Sequence, residues 1–190
     1  MNAFYYVSRL YMNHKFKDYL NQLKSIALSN YDLMRAISYA RIITYPELAA
    51  YNSIDELFLD TDSIILLYET KIHFGHWCCL LKKVNSIEVF DSYGKKPDTQ
   101  LKNADKLFRI YNNMMIPYLS YLLINSPYEI EYNKDQLQEY KYGIRTCGRW
   151  VCERIRNRNI NIDEFVEYFN SFKDIGYNPD DVVTILTIDI

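Results

Sequence analysis

Between residues 63 and 94 the chain changes its hydrophobic period, and this change limits the fold more than any other feature. "SIILLYE" (63–69), "HWCCLLKKV" (76–84) and "SIEVFDSYG" (86–94) are short runs rich in Ile, Val, Leu and aromatic residues, which is strand chemistry. A turn near Lys83 to Ser86 joins the last two into a hairpin. On either side the period is helical. "HKFKDYLNQLKSIAL" spaces Phe16, Leu20, Leu23 and Ile26 three to four residues apart. "DLMRAISYARI" and "YPELAAY" read as short helices, the second with Pro46 in its first turn. A long helix is expected over roughly 99–123, a further strand at "YEIEY" (128–132), and a helix that opens at Thr146 or Cys147 and runs to about Arg158. "NIDEFVEYFNSF" and "NPDDVVTILTI" begin on Asn/Asp caps and continue as helices. The fold class that follows is α+β, a small and mostly antiparallel sheet flanked by helices. No repeat, low-complexity tract or Pro/Gly/Ser linker divides the 190 residues. One domain is therefore expected, with a helical part over 1–60, a core over 61–158 and C-terminal helices over 159–190.

Composition excludes several classes. No apolar run approaches the ~18 residues of a membrane span, and the first twenty residues lack the apolar centre of a secretion signal. An intracellular, reducing setting and no membrane partner are expected. Four cysteines, at 78, 79, 147 and 152, do not make a disulfide framework in a chain of this size. The net charge of -2 argues against a general nucleic-acid binder. The charge is uneven, however: from Lys141 to Arg158 six basic residues face one acid, Glu153, a +5 segment. That segment suits a polyanion, or simply a solvated helix face.

Two places carry candidate chemistry. In the hairpin, His76 and Asp91 fall near each other at the open end, where neighbours across strands lie ~5 Å apart. A carboxylate beside an imidazole fixes its tautomer and stabilises the imidazolium. The second place is "TCGRWVCERI". Cys147 stands at a helix start, where free N–H groups and the helix dipole favour an anion and lower a thiol pKa from ~8.5. Arg145 and Arg149 add positive potential, and Gly148 lets backbone approach a substrate closely. Cys78, Cys79 and Cys152 read as small buried apolar residues. Zinc fails on spacing: Cys78 and Cys79 point to opposite faces of a strand, and Cys147 and Cys152 lie about 140° apart around a helix. No metal and no cofactor are expected.

Chain order narrows the class. The three histidines are His14, His73 and His76, so none follows Cys147. A His–acid–Cys order remains, without the Gln-Ala-Cys context of caspases.

"GHW" (75–77), "FDSYG" (90–94), a Gln in "DQLQEY" and "TCGRWV" (146–151) resemble, in this order, the adenain and SUMO-specific protease superfamily. The closer likeness is to proteases of large DNA viruses, virophages and related mobile elements. It covers roughly residues 63–155. The resemblance implies a thiol endopeptidase with Cys147 as nucleophile at a helix N-terminus, His76 as general base, Asp91 orienting it, and Gln138 as oxyanion donor. Gln136 is the rival to Gln138, since both face the same way on an extended strand. Gln138 also stands farther from the cysteine than is usual in relatives. Trp77 lies against His76, frames the cleft or packs in the core; with Gly148 and Trp150 it is the expected substrate cleft. Substrates implied are Gly-containing proteins cut after Gly, here capsid or core precursors processed during virion maturation by a monomer in the virion or infected cell. The alternatives are an isopeptidase acting on ubiquitin-like modifiers and an inactive module that grips Gly-rich tails. Relatives of the adenovirus type use DNA or a viral peptide as activators, so these partners are open for this chain.

Overall fold

The computed structural model describes residues 14–174 and 176–190; the absence of a signal read over the first residues, and the His14 side chain, lie outside them. Five strands form one mixed sheet in chain order. β1 (Arg41–Thr44) runs parallel to β2 (Ser63–Lys71), β2 antiparallel to β3 (Phe74–Lys82), β3 antiparallel to β4 (Ser86–Phe90), and β4 parallel to β5 (Glu129–Tyr132). The antiparallel centre is the hairpin expected from the sequence, and its turn is closed by the Lys83 N–H donating to the Ser86 carbonyl at 2.9 Å.

Both faces of the sheet are covered, which is why β2 reads as an unbroken apolar run instead of an alternation. One face, with Ile65, Leu67, Trp77, Cys79 and Phe90, packs under α1 (His14–Ser25), α6 (Cys147–Arg156), α7 (Ile162–Asp174) and α8 (Pro179–Leu186). The other face, with Ile64, Leu66, Tyr68, Cys78 and Leu80, is covered by a 3-10 turn (Tyr45–Ala50), α3 (Ile54–Leu57) and α5 (Tyr118–Ile124). The α+β architecture is as expected, but the sheet is mixed and not mostly antiparallel, since both outer pairings, β1 with β2 and β4 with β5, are parallel. Among the described residues no helix is long and apolar enough to cross a membrane.

Two segments differ from expectation. Residues 32–42 are not one helix: α2 (Asn30–Ala36) ends and Arg41–Thr44 becomes β1, held by register with Ile64–Leu67. Four residues are too few to carry a period, so only the partner strand decides. Residues 99–123 break into a 3-10 turn (Thr99–Asn103), α4 (Lys106–Tyr111) and α5. The Asp105 carboxylate caps α4 by accepting from the Leu107 and Phe108 N–H groups, Asn113 takes φ 54°, and Pro117 starts α5 afresh.

The ends of α6 are fixed separately. Arg154 donates twice to Glu88 of β4, at 2.7 Å each, with both side chains fully buried. This bidentate pair ties α6 to β4. At the other end, the buried Asp180 of α8 accepts from the Thr146 hydroxyl, from Trp150 Nε1 at 2.9 Å and from the Glu139 N–H at 2.7 Å. Burial raises the Asp180 pKa, and these hydrogen bonds oppose the rise.

Candidate active site

Strand geometry brings the hairpin residues together. Phe90 pairs with Cys79, so Asp91, the first residue beyond β4, comes level with Cys78. It reaches His76 diagonally, and Asp91 Oδ1 lies 2.8 Å from His76 Nε2. The sequence expectation of a His76–Asp91 neighbourhood holds, displaced by one cross-strand step. Gly75 makes the approach of β3 to β2 possible here: a Cβ on it would sit 2.0 Å from the Tyr68 carbonyl oxygen.

Asp91 is held on every side. The Tyr93 N–H donates to Oδ1 at 2.9 Å, and Gln100 Nε2 donates to Oδ2. Asn133 accepts from the Asp91 N–H and donates to its carbonyl. The Tyr93 ring stacks on His76, with centroids 4.8 Å apart and planes at 22°.

Because β4 stops at Phe90, residues 76–78 of β3 have no paired strand on that side, and Cys147 of α6 packs in the same core cluster as Trp77. There the surroundings of Cys147 that favour its thiolate are His76 and the backbone of Trp77 and Gly148. Burial works to raise the Cys147 pKa, but the His76 bond and charge and the two N–H groups outweigh it, and the thiol lies below its usual range. The other thiols go the opposite way. Burial pushes Cys78 and Cys152 up to about 12, and Cys79 well above the usual range. For His76, burial opposes the charge, while Cys78, Asp91 and Cys147 around the ring favour it; the imidazolium is held well above its ordinary range.

Gln138 and Gln136 separate clearly. The segment is a loop, not an extended strand, so side chains two apart need not point alike. Gln138 is buried: its Oε1 accepts from the Ser92 hydroxyl at 2.7 Å and its Nε2 donates to the Tyr93 hydroxyl at 3.0 Å. Gln136 is exposed and donates to the Gln138 carbonyl.

The expected cleft residues divide. Trp77 is buried, its Nε1 donating to the Leu28 carbonyl at 3.0 Å, and it both packs in the core and lines a cavity of about 580 Å³ beside Cys147. Leu28, Met34, Ile42, Leu67 and Phe74 line the same cavity. Trp150 is not a cleft wall: it is wholly buried, edge-on to Phe169 and bonded to Asp180. Its place on α6, three residues after Cys147, turns it into the core. Gly148 does not face a substrate path; a Cβ there would meet Leu28 Cβ at 3.0 Å, so it serves close packing of α6. Arg149 does not support the thiol either, since its Nη1 donates to the Thr187 carbonyl at 2.6 Å.

Tyr93, Gln100, Asn133 and Asp180 are the residues that sequence reasoning missed. Tyr93 stood inside "FDSYG" and Asp180 inside a helix-cap pattern; Gln100 and Asn133 carry no local signal.

No protein-family model matches the chain. It is 39% identical over 172 residues to "Uncharacterized protein V9" of Sputnik virophage, covering 89% of this chain and 98% of that protein. Among solved structures it is similar to the ASFV pS273R protease, with a TM-score of 0.44 and 14% identity, over 80% of this chain and 68% of that one.

Proposed function

The chain belongs to the family of the Sputnik virophage protein V9, and from that premise we propose that it is a cysteine endopeptidase of the adenain type. One observation carries the reading: His76 Nε2 lies 2.8 Å from the buried Asp91 carboxylate, and the same imidazole favours the thiolate of Cys147 at the start of α6.

The chemistry follows from these groups. The Cys147 thiolate adds to a peptide carbonyl carbon, and the carbonyl electron pair moves onto oxygen. The Cys147 N–H and the Gln138 amide hold that oxyanion; Gln138 Nε2 has two N–H groups, and Tyr93 takes one. His76 gives its proton to the leaving amine as the C–N bond breaks. Water then attacks the thioester, His76 takes a proton from it, and Cys147 leaves as thiolate. Replacing Gln138 with alanine is expected to lower kcat by about 10²–10³-fold with little change in KM, because the contact matters in the transition state. Gln136→Ala is expected to change neither. A Gln136 effect with an innocent Gln138 reassigns the oxyanion donor.

The proposed substrates are capsid or core precursors of a virus-like element, cut after glycine during maturation in the virion or infected cell. Cys147 and His76 are only 7% and 9% exposed, so the residue that supplies the scissile carbonyl must bring its backbone close to buried groups, while the cavity beside Cys147 has room for neighbouring side chains. A pocket that merely loses a methylene contact discriminates by ~1–3 kcal/mol; steric exclusion does more. Changing that glycine to valine is expected to reduce kcat/KM at least ~100-fold, or about 2.7 kcal/mol. A peptide-library profile that accepts bulky residues there rejects the glycine preference. The deciding experiment for the role is incubation with the capsid proteins encoded beside the gene, followed by sequencing of new termini.

A further inference from the structure

The spacing of the cysteines argued against zinc, yet the fold assembles a different donor set. An imidazole nitrogen of His76, the Cys78 sulfur and a carboxylate oxygen of Asp91 lie within 4.8 Å of one another, all three buried. His76 and Cys78 are two apart on β3 and share a face; Asp91 comes level with Cys78 from β4. We propose that these three residues form a Zn²⁺ site that switches the centre off.

A thiolate, an imidazole and a carboxylate are zinc ligands, and the soft sulfur disfavours Mg²⁺ and Ca²⁺. The charge balances: Zn²⁺ with one thiolate, one carboxylate and a neutral imidazole sums to zero, which suits a buried site. Donors at tetrahedral zinc distances stand roughly 3.3–3.6 Å apart. The 2.8 Å His76–Asp91 pair must therefore open by about half an ångström. The metal then takes the place of the proton between Nε2 and Asp91, and the Cys78 thiol gives up a second proton. Once Nε2 is metal-bound, Nδ1 keeps its proton and His76 has no lone pair with which to shuttle one. Cys78 thus has a role that the proposed hydrolysis does not use. The inhibition rests on the peptidase reading; the binding does not.

The test uses the full chain carrying Cys147→Ala, titrated with Zn²⁺ by calorimetry and with Co²⁺ by absorbance. One metal per chain and a thiolate-to-cobalt charge-transfer band are expected. Adding Cys78→Ser should remove the band and weaken Zn²⁺ at least ~100-fold. Adding Cys79→Ser and Cys152→Ser instead leaves Cys78 as the sole thiol and should keep the band, which decides the matter even if Cys78→Ser does not fold. No binding, or a band that survives loss of Cys78, overturns the site. In the kinetic arm, Zn²⁺ should inhibit the unmodified chain and a chelator should restore it, while Cys78→Ser should resist at least ~10-fold. Equal sensitivity places the metal on Cys147 and His76 alone and overturns the switch. Absence of any peptidase activity refutes the peptidase reading while the binding results still decide the zinc site.

Discussion

Replacing Cys147 with alanine is expected to abolish cleavage, lowering kcat by about 10⁶-fold. The size follows from the uniqueness of the group. Of the four thiols, only Cys147 is held below its usual range; the other three are pushed upward by burial. None of those three has the Trp77 and Gly148 N–H groups around its sulfur. Limiting iodoacetamide should accordingly label Cys147 first, and peptide mapping reads the order. The variant should fold, because the contacts that fix the start of α6 run through Thr146 and Trp150, not through the sulfur. Adding His76→Ala to it should cost nothing further, since nucleophile and base act as one unit. Full activity in Cys147→Ala would sink the enzyme reading.

Asp91→Asn is expected to lower kcat by about 10²–10⁴-fold, the usual contribution of a positioned acid–base group. Its pH profile should separate a charge role from a structural one. On the proposed mechanism, activity needs Cys147 as thiolate and His76 as imidazolium. Activity thus rises with pH through the Cys147 pKa and falls through that of His76. Burial opposes the His76 charge, and the Asp91 carboxylate is among the groups that sustain it. Without that charge the His76 pKa falls. Its weaker field then lets the Cys147 pKa rise, so the acidic limb moves up and the alkaline limb moves down. A lower rate with both limbs unmoved assigns Asp91 to scaffolding only.

Legibility in the sequence follows the range of each contact. The hairpin, the helix opening at Cys147 and the pairing of His76 with Asp91 are local or nearly so, and period alone reveals them. β1 is different: four residues are a strand only because β2 lies beside them. The choice between Gln138 and Gln136 depended on a loop conformation fixed by the Ser92 carbonyl, which accepts from the N–H groups of both Leu137 and Gln138. Trp150 looked like a cleft wall by its nearness to Cys147 in sequence, whereas helical rotation sends it to Asp180. Gln100 and Asn133 act on Asp91 from nine and 42 residues away, beyond any window.

The Asp180 anchor has a consequence in time. Cys147 is synthesised 33 positions before the Asp180 carboxylate that braces Thr146 and Trp150. At ~5–20 residues per second, translation leaves a gap of a few seconds. During it His76, Asp91, Gln138 and Cys147 all exist, but α6 lacks its brace. On the peptidase reading, the centre is expected to gain its full reactivity only once α8 emerges and docks. Released chains truncated before Asn178 should react more slowly with a thiol-directed activity probe than the full chain, and equal rates would show that the Asp180 brace does not matter to Cys147.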